Sequence, residues 1–329
     1  MFPTMVNVDE SPHLRARYVP AGWPGMRGKR VVVTGGSRGL GEGIVRLLLA
    51  EGARVATCAR DGAGLAALGS SLTGEERARL FTDELDVTEP GRLEDFVTAS
   101  AKRFGDVRDV REPGVTGIAE AEAAAEALRE PDGVDGPDGI DALGGIHGIH
   151  GIPGLDGVVA CVGGSRGGPF EQADSADWSA TWELNVGHTA RLVRAALPHL
   201  RAAGGGSIVL ISSISGWKPG PPAQYGAAKS ALIHLAASLA REFGPDHIRV
   251  NAVSPGSMLI PGRRWDRMRD EDPRAYDAFV GAELPTGAPV TPHEVARTVV
   301  FLLSDWATGV SGAHLPVDRA QNAPSPDGY

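Results

Sequence analysis

Short apolar runs bounded by glycine or polar residues alternate along this chain with longer segments whose apolar positions recur every three or four residues. Residues 30–34, 54–58, 81–87, 158–162, 206–213, 248–253 and 313–317 have the first pattern and predict buried strands. The second pattern predicts helices over 42–52, 91–104, 178–200, 225–243 and 293–303, the last started by Thr291-Pro292. Strands separated by helical segments predict an α/β domain with a mostly parallel sheet. Asn185 stands in the middle of the 178–200 segment, where its amide competes for backbone hydrogen bonds and points to a kink. Residues 257–290, rich in arginine and proline, follow neither period and predict irregular backbone.

The pattern also sets the domain organisation. Residues 1–27 read as a leader, and 321–329 as a tail after the last strand. From 106 to 153 the composition shifts to glycine, alanine and acid, and cutting this stretch out joins a helix end to a strand start. It is therefore expected to be an acidic insertion into one domain spanning 28–320, on the sheet edge opposite the strand C-termini. His147 and His150 lie in it without a third ligand nearby, so no metal site is expected. The net charge of −9 over 329 residues is concentrated there, since residues 106–141 hold eleven acids and three arginines. The remainder is near neutral, which argues against nucleic acid as a partner. No apolar run approaches the roughly 18 residues of a membrane span, and the first residues have no apolar signal core. Two cysteines, Cys58 and Cys161, fit a reducing, cytoplasmic compartment.

Candidate chemistry lies in the turns. Gly35-Gly36-Ser37-Arg38-Gly39-Leu40-Gly41 joins a predicted strand to a predicted helix, so backbone N–H groups there can approach a dinucleotide pyrophosphate. At the end of the second strand Ala59 takes the place of the acid that bonds an NAD ribose, and Arg60 follows. With Arg38 inside the glycine turn, NADP(H) is the preferred cofactor, while Asp61 leaves NAD(H) open. Asp86, at the end of the third strand, is a candidate for the adenine amino group. Tyr225 and Lys229 share a helix face, and an ammonium beside a phenol favours the phenolate, so a lowered tyrosine pKa is expected. Four arginines, Arg263, Arg264, Arg267 and Arg269, stand ready for an anionic substrate group or for solvent.

Taken in order, Thr34-Gly35-x-x-x-Gly39-x-Gly41, Asp86-Val87, Asn185, Ser213, Tyr225-x-x-x-Lys229 and Pro255-Gly256 resemble the short-chain dehydrogenase/reductase family over about 28–105 and 154–320. Trp265-Asp266 after the Pro-Gly turn looks like the branch similar to 3-oxoacyl-carrier-protein reductases. The resemblance implies a single Rossmann-type doubly wound sheet of about seven strands, ordered 3-2-1-4-5-6-7, with helices on both faces. It implies hydride transfer between nicotinamide and a carbonyl or secondary alcohol, with a non-catalytic, dinucleotide-binding redox-sensing regulator as the alternative. Catalytic roles fall on Asn185, which anchors a relay water, Ser213, which polarises the carbonyl, Tyr225, which moves the proton, and Lys229, which holds the ribose. Ser213 is preferred to Ser212 because Ser213-Ile214-Ser215-Gly216 matches the family's serine-x-x-glycine. Cofactor contacts are expected from Gly35, Ser37, Arg38, Gly39, Leu40, Gly41, Arg60, Asp86, Val87, Gly163, Tyr225, Lys229, Pro255, Gly256 and Ser257. A homodimer or homotetramer is the usual state. In that strand order Cys58 and Cys161 sit two inter-strand steps apart, about 9.6 Å, so both are expected to stay free thiols.

Overall fold

The structure is a computed structural model, and it describes residues 25–105 and 152–322. The expected insertion, with His147 and His150, lies almost wholly outside the described residues, as do most of the leader and the tail. Two residues assigned to those ends are nonetheless buried against the domain: Met26 in the core and Gln321 beside Ser257.

Seven strands form one sheet: β1 (Arg30–Thr34), β2 (Arg54–Ala59), β3 (Leu80–Glu84), β4 (Gly157–Ala160), β5 (Gly206–Ile211), β6 (Ile248–Pro255) and β7 (His314–Val317). All neighbouring pairs are parallel and the order is β3-β2-β1-β4-β5-β6-β7, as expected. A parallel sheet needs cover on both faces, which is why its central strands are apolar without alternation. Their side chains still alternate between two cores. Val31, Val33, Val159, Val209 and Val253 pack against α1 (Gly39–Ala50) and the last helix, Pro292–Leu303. Val32, Val158, Ile208, Leu210 and Ala252 pack on the opposite face. There they meet Arg92–Gly105, His188–Ala202 and Ala223–Phe243.

The remaining helices, in chain order, are α2 (Gly62–Ser71), α3 (Gly74–Ala78), α4 (Arg92–Gly105), α5 (Ser175–Trp182), α6 (His188–Ala202), α7 (Ala223–Phe243), α8 (Arg264–Glu271), α9 (Pro273–Glu283) and α10 (Pro292–Leu303). Two corrections follow. The single helix expected over 178–200 is divided by a π turn, Glu183–Gly187, with Asn185 at its centre, so the predicted kink is there and has a definite form. The irregular backbone expected over 257–290 instead contains α8 and α9. Neither buries a residue in the core, so no apolar period marks them. They are held by the Trp265–Phe279 stack, with ring centroids 3.8 Å apart, and by Asp272, which accepts from Ala275 N at 3.1 Å ahead of Pro273. The start of α10 matches expectation, since Thr291 and Glu294 form a capping box.

Candidate active site

The C-terminal ends of β1, β4, β5 and β6 open on the same edge, and the candidate residues collect there. β5 runs into Ser212 and Ser213, and the two hydroxyls go different ways. Ser212 is buried and donates to Lys229 O at 2.7 Å, which ties the strand end to α7. Ser213 accepts from Ser215 N at 3.1 Å, caps the short 3-10 turn Ile214–Gly216, and hydrogen-bonds the Tyr225 phenol. The four-residue spacing in α7 brings Lys229 beneath Tyr225, its Nζ 5.7 Å from the ring centroid. Lys229 is buried, and its ammonium donates to Ile211 O at 2.8 Å.

Asn185 reaches the same place from the π turn. Widening the turn frees Thr181 O, and Asn185 Nδ2 donates to it at 2.7 Å and to Gly164 O at 2.7 Å. Asn185 Oδ1 accepts from Gly164 N at 3.2 Å, so one amide clamps the loop after β4 to the helix. A Cβ on Gly163 would lie 2.7 Å from Asn185 Oδ1 and 2.8 Å from Lys229 Nζ. The two polar groups therefore converge on the bare Cα of Gly163.

Burial sets the electrostatics here. It lowers the Lys229 pKa to about 8 and pushes the neighbouring Cys161 thiol up to about 12, so the thiol stays neutral. Tyr225 differs from the sequence expectation. Its pKa is raised, because desolvation outweighs the lowering effect of the Ser213 hydrogen bond. The Lys229 ammonium is spent on a backbone carbonyl rather than on the phenol.

At the β1–α1 turn, Gly35 and Gly39 adopt φ values of +83° and +60°, which favour glycine. Side chains at Gly36 and Gly41 would strike Thr57 Oγ1 and Gly35 O respectively. The turn thus offers bare backbone N–H groups at the α1 N-terminus, and Gly35 N already donates to Cys58 O at 2.8 Å. Leu40 is buried, Ser37 faces Gly64, and Arg38 is exposed just before the helix. Arg60 pairs with Asp86 at 3.5 Å. Burial raises the Asp86 carboxyl, but hydrogen bonds from Thr88 and the nearby Arg60 together hold it below its ordinary value. This bare cradle with two cations beside it fits a nicotinamide dinucleotide.

Three expected contacts are already engaged with protein. Val87 is buried and its carbonyl accepts from Arg191 at 2.9 Å. Ser257 gives its N–H to Gln321 Oε1 at 2.7 Å and accepts from Gln321 Nε2 at 2.9 Å. Gly256 N donates to Val317 O at 3.1 Å, next to Pro255 at the end of β6. Asp61 caps α2, accepting from Gly64 N at 2.9 Å. Gln321 was not a sequence candidate, and its partner lies 64 positions away. Thr34, which opens the glycine motif, has a role the motif did not assign: its hydroxyl accepts from Cys161 N at 3.0 Å and braces the loop after β4. Both cysteines are free, as expected. No cluster among the described residues would hold a metal, and no described helix is long and apolar enough to cross a membrane.

Two family models match the chain, short chain dehydrogenase over residues 29–126 and enoyl-(acyl carrier protein) reductase over residues 147–319. The chain belongs to the short-chain dehydrogenase/reductase family. It is 28% identical to isoepoxydon dehydrogenase patN of Penicillium expansum, covering 89% of this chain and 95% of that protein. It is 30% identical to mouse (Mus musculus) L-fucose dehydrogenase, over 88% of this chain and 87% of that one. A Burkholderia cenocepacia J2315 short chain dehydrogenase solved in complex with NADP superposes with a TM-score of 0.68 at 26% identity. That alignment covers 91% of this chain and 99% of the other. This short-chain dehydrogenase/reductase is thus an oxidoreductase of a family that binds nicotinamide cofactors and acts on small alcohols and ketones.

Proposed function

We propose that this enzyme is an NADP(H)-dependent reductase of small ketones, with Tyr225 as the proton donor. The observation that carries the reading is that Ser213 meets Tyr225, Tyr225 lies over Lys229, and Lys229 and Asn185 converge on Gly163. When bound, a nicotinamide supplies the hydride. The chain's own residues orient the carbonyl and manage the proton. Ser213 already bonds the phenol, so both hydroxyls can share one carbonyl oxygen. A phenol held above its ordinary pKa keeps its proton at neutral pH, which suits an acid for reduction. Lys229 and Asn185 hold the floor of the site through backbone carbonyls, and Arg38 and Arg60 support the preference for NADP(H) over NAD(H).

The substrate space is a cavity of 310 Å³ lined by Ser165, Gly168, Pro169, Pro222 and Arg264, open to a compact ketone or a 3-oxoacyl end. Of the four arginines between 263 and 269, Arg264 lines the cavity, while Arg269 is paired with Asp266 at 2.8 Å. The two free thiols support a cytoplasmic setting, and a homodimer or homotetramer is the expected assembly, to be read by light scattering.

The test is oxidation of NADPH and of NADH by the purified protein over a ketone panel that includes an acetoacetyl thioester. Tyr225→Phe is run beside it. Wild type is expected to oxidise NADPH faster, and the variant to lose on the order of 100-fold in turnover while still binding NADPH. Unchanged turnover in Tyr225→Phe would overturn the role of the tyrosine. NADPH binding without turnover of any ketone would favour the redox-sensing regulator, and absence of nucleotide binding by wild type would overturn both readings.

A further inference from the structure

The arginines after β6 do not share one environment. Arg269 is neutralised by Asp266 and Asp270, and the Arg264 guanidinium lies 4.7 Å over the Trp265 ring. Arg263 is placed differently. Its N–H donates to Ile260 O at 2.9 Å, and Ile260 rests on the glycine turn: a Cβ on Gly39 would lie 3.0 Å from Ile260 Cγ2. The segment is thus folded back onto the α1 N-terminus. That brings Arg263 to the corner where Arg38 precedes Gly39 and Arg60 closes β2.

The charges there are unbalanced. Desolvation, then the positive fields of Arg38, Arg267 and Arg60, hold the Arg263 guanidinium below its ordinary pKa. Asp86 answers Arg60 at 3.5 Å, but among the described residues no carboxylate pairs with Arg38 or Arg263. Like charges gathered without a counter-ion are unfavourable, and an anion between them reverses the sign.

We infer that Arg263 is a third cation of the adenosine 2′-phosphate site, so that the phosphate of NADP(H) ties the α8 segment to the glycine turn. The inference rests on the NADP(H) reading above. It adds a specificity residue carried by the segment that also walls the substrate cavity through Arg264. Coenzyme choice and closure of that wall then become one event, since NAD(H) carries an uncharged hydroxyl, not a phosphate, at this position.

Adenosine fragments isolate the contact from catalysis. Calorimetric titration with 2′,5′-ADP and with 5′-AMP compares wild type, Arg263→Ala and Arg264→Ala. Arg263 is exposed and makes no core contact, so its removal leaves the fold intact. Arg263→Ala is expected to bind 2′,5′-ADP about tenfold more weakly with 5′-AMP binding unchanged. Arg264→Ala removes the same charge one residue along and is expected to bind both fragments as wild type does. Equal weakening in the two variants, or no weakening in Arg263→Ala, would overturn the role of Arg263 while leaving the coenzyme preference standing. Wild type that binds the two fragments equally would instead overturn the NADP(H) reading, and this inference with it.

Discussion

Gly163 has no side chain because two others occupy the space. Asn185 Oδ1 and Lys229 Nζ would lie 2.7 and 2.8 Å from a methyl there, closer than carbon tolerates. Neither neighbour is free to retreat, since Asn185 is held by Gly164 and Thr181, and Lys229 by Ile211. Gly163→Ala is therefore expected to push Lys229 and Asn185 off their positions. Turnover should fall by roughly 10- to 100-fold, and the thermal midpoint by a few degrees, read by NADPH oxidation and by calorimetry. Wild-type turnover in this variant would mean the two groups do not need their observed places. The same hydrogen bond from Lys229 to Ile211 explains why the tyrosine pKa was not legible in the sequence. A spacing of four residues fixes a shared helix face but not the direction of the ammonium, and here the ammonium turns to the strand. Burial then decides the sign for both groups.

The π turn shows the same division between what a pattern carries and what it leaves out. An asparagine at the centre of a helical repeat announced a break, and the break serves the amide: it exposes Thr181 O, and the side chain fills that vacancy while gripping Gly164. The donors and acceptor are fixed, so an isosteric change is expected to do more harm than truncation. Asn185→Asp places a carboxylate oxygen against two carbonyls, and at pH 7 it should be less stable than Asn185→Ala by about 1–3 kcal/mol. Urea midpoints of the two variants measure this, and equal midpoints would sink the assignment of donor and acceptor. The strands were legible because parallel pairing buries both faces, leaving runs such as Val31-Val32-Val33. By contrast, α8 and α9 were illegible because they bury nothing in the core, and α8 is mostly charged. The short α2 and α3 begin on glycines and depend on Asp61 and Thr73 as caps, a local signal easily taken for a turn. Likewise, the sealing of Ser257 by Gln321 and the approach of Ile260 to Gly39 join segments far apart in sequence, and no period records them.

At the scale of the whole molecule, gathering four strand ends at one edge leaves polar groups inside the fold that must remain uncharged. His188, at the start of α6, is fully buried, with its imidazole against the backbone of Glu183 and Leu184. Desolvation, then the positive fields of Lys229 and Arg191, lower its pKa to about 3, from an ordinary 6.5. The folded state thus releases a proton that the unfolded chain holds between those values. Stability from this residue is complete above about 6.5 and is lost as the pH falls toward 3. Carboxylates held below their ordinary values, Glu76, Asp86, Asp156 and Glu294, act in a lower window, beneath the usual carboxylate values of 3.8 and 4.5. Lys229 acts in a higher one: its lowered pKa makes stability rise as the pH climbs from about 8 toward 10.5. Between pH 7 and 5 the histidines are therefore isolated. His314, also lowered by desolvation, adds to the same interval and serves as the background. Urea midpoints of wild type are expected to drop from pH 7 to pH 5, and His188→Leu, which keeps an apolar group of comparable size in the site, should show only the smaller His314 share of that drop. An equal fall in both proteins would mean that the imidazole finds a proton-bearing partner in solution, and that the fold does not carry this neutral histidine at its centre.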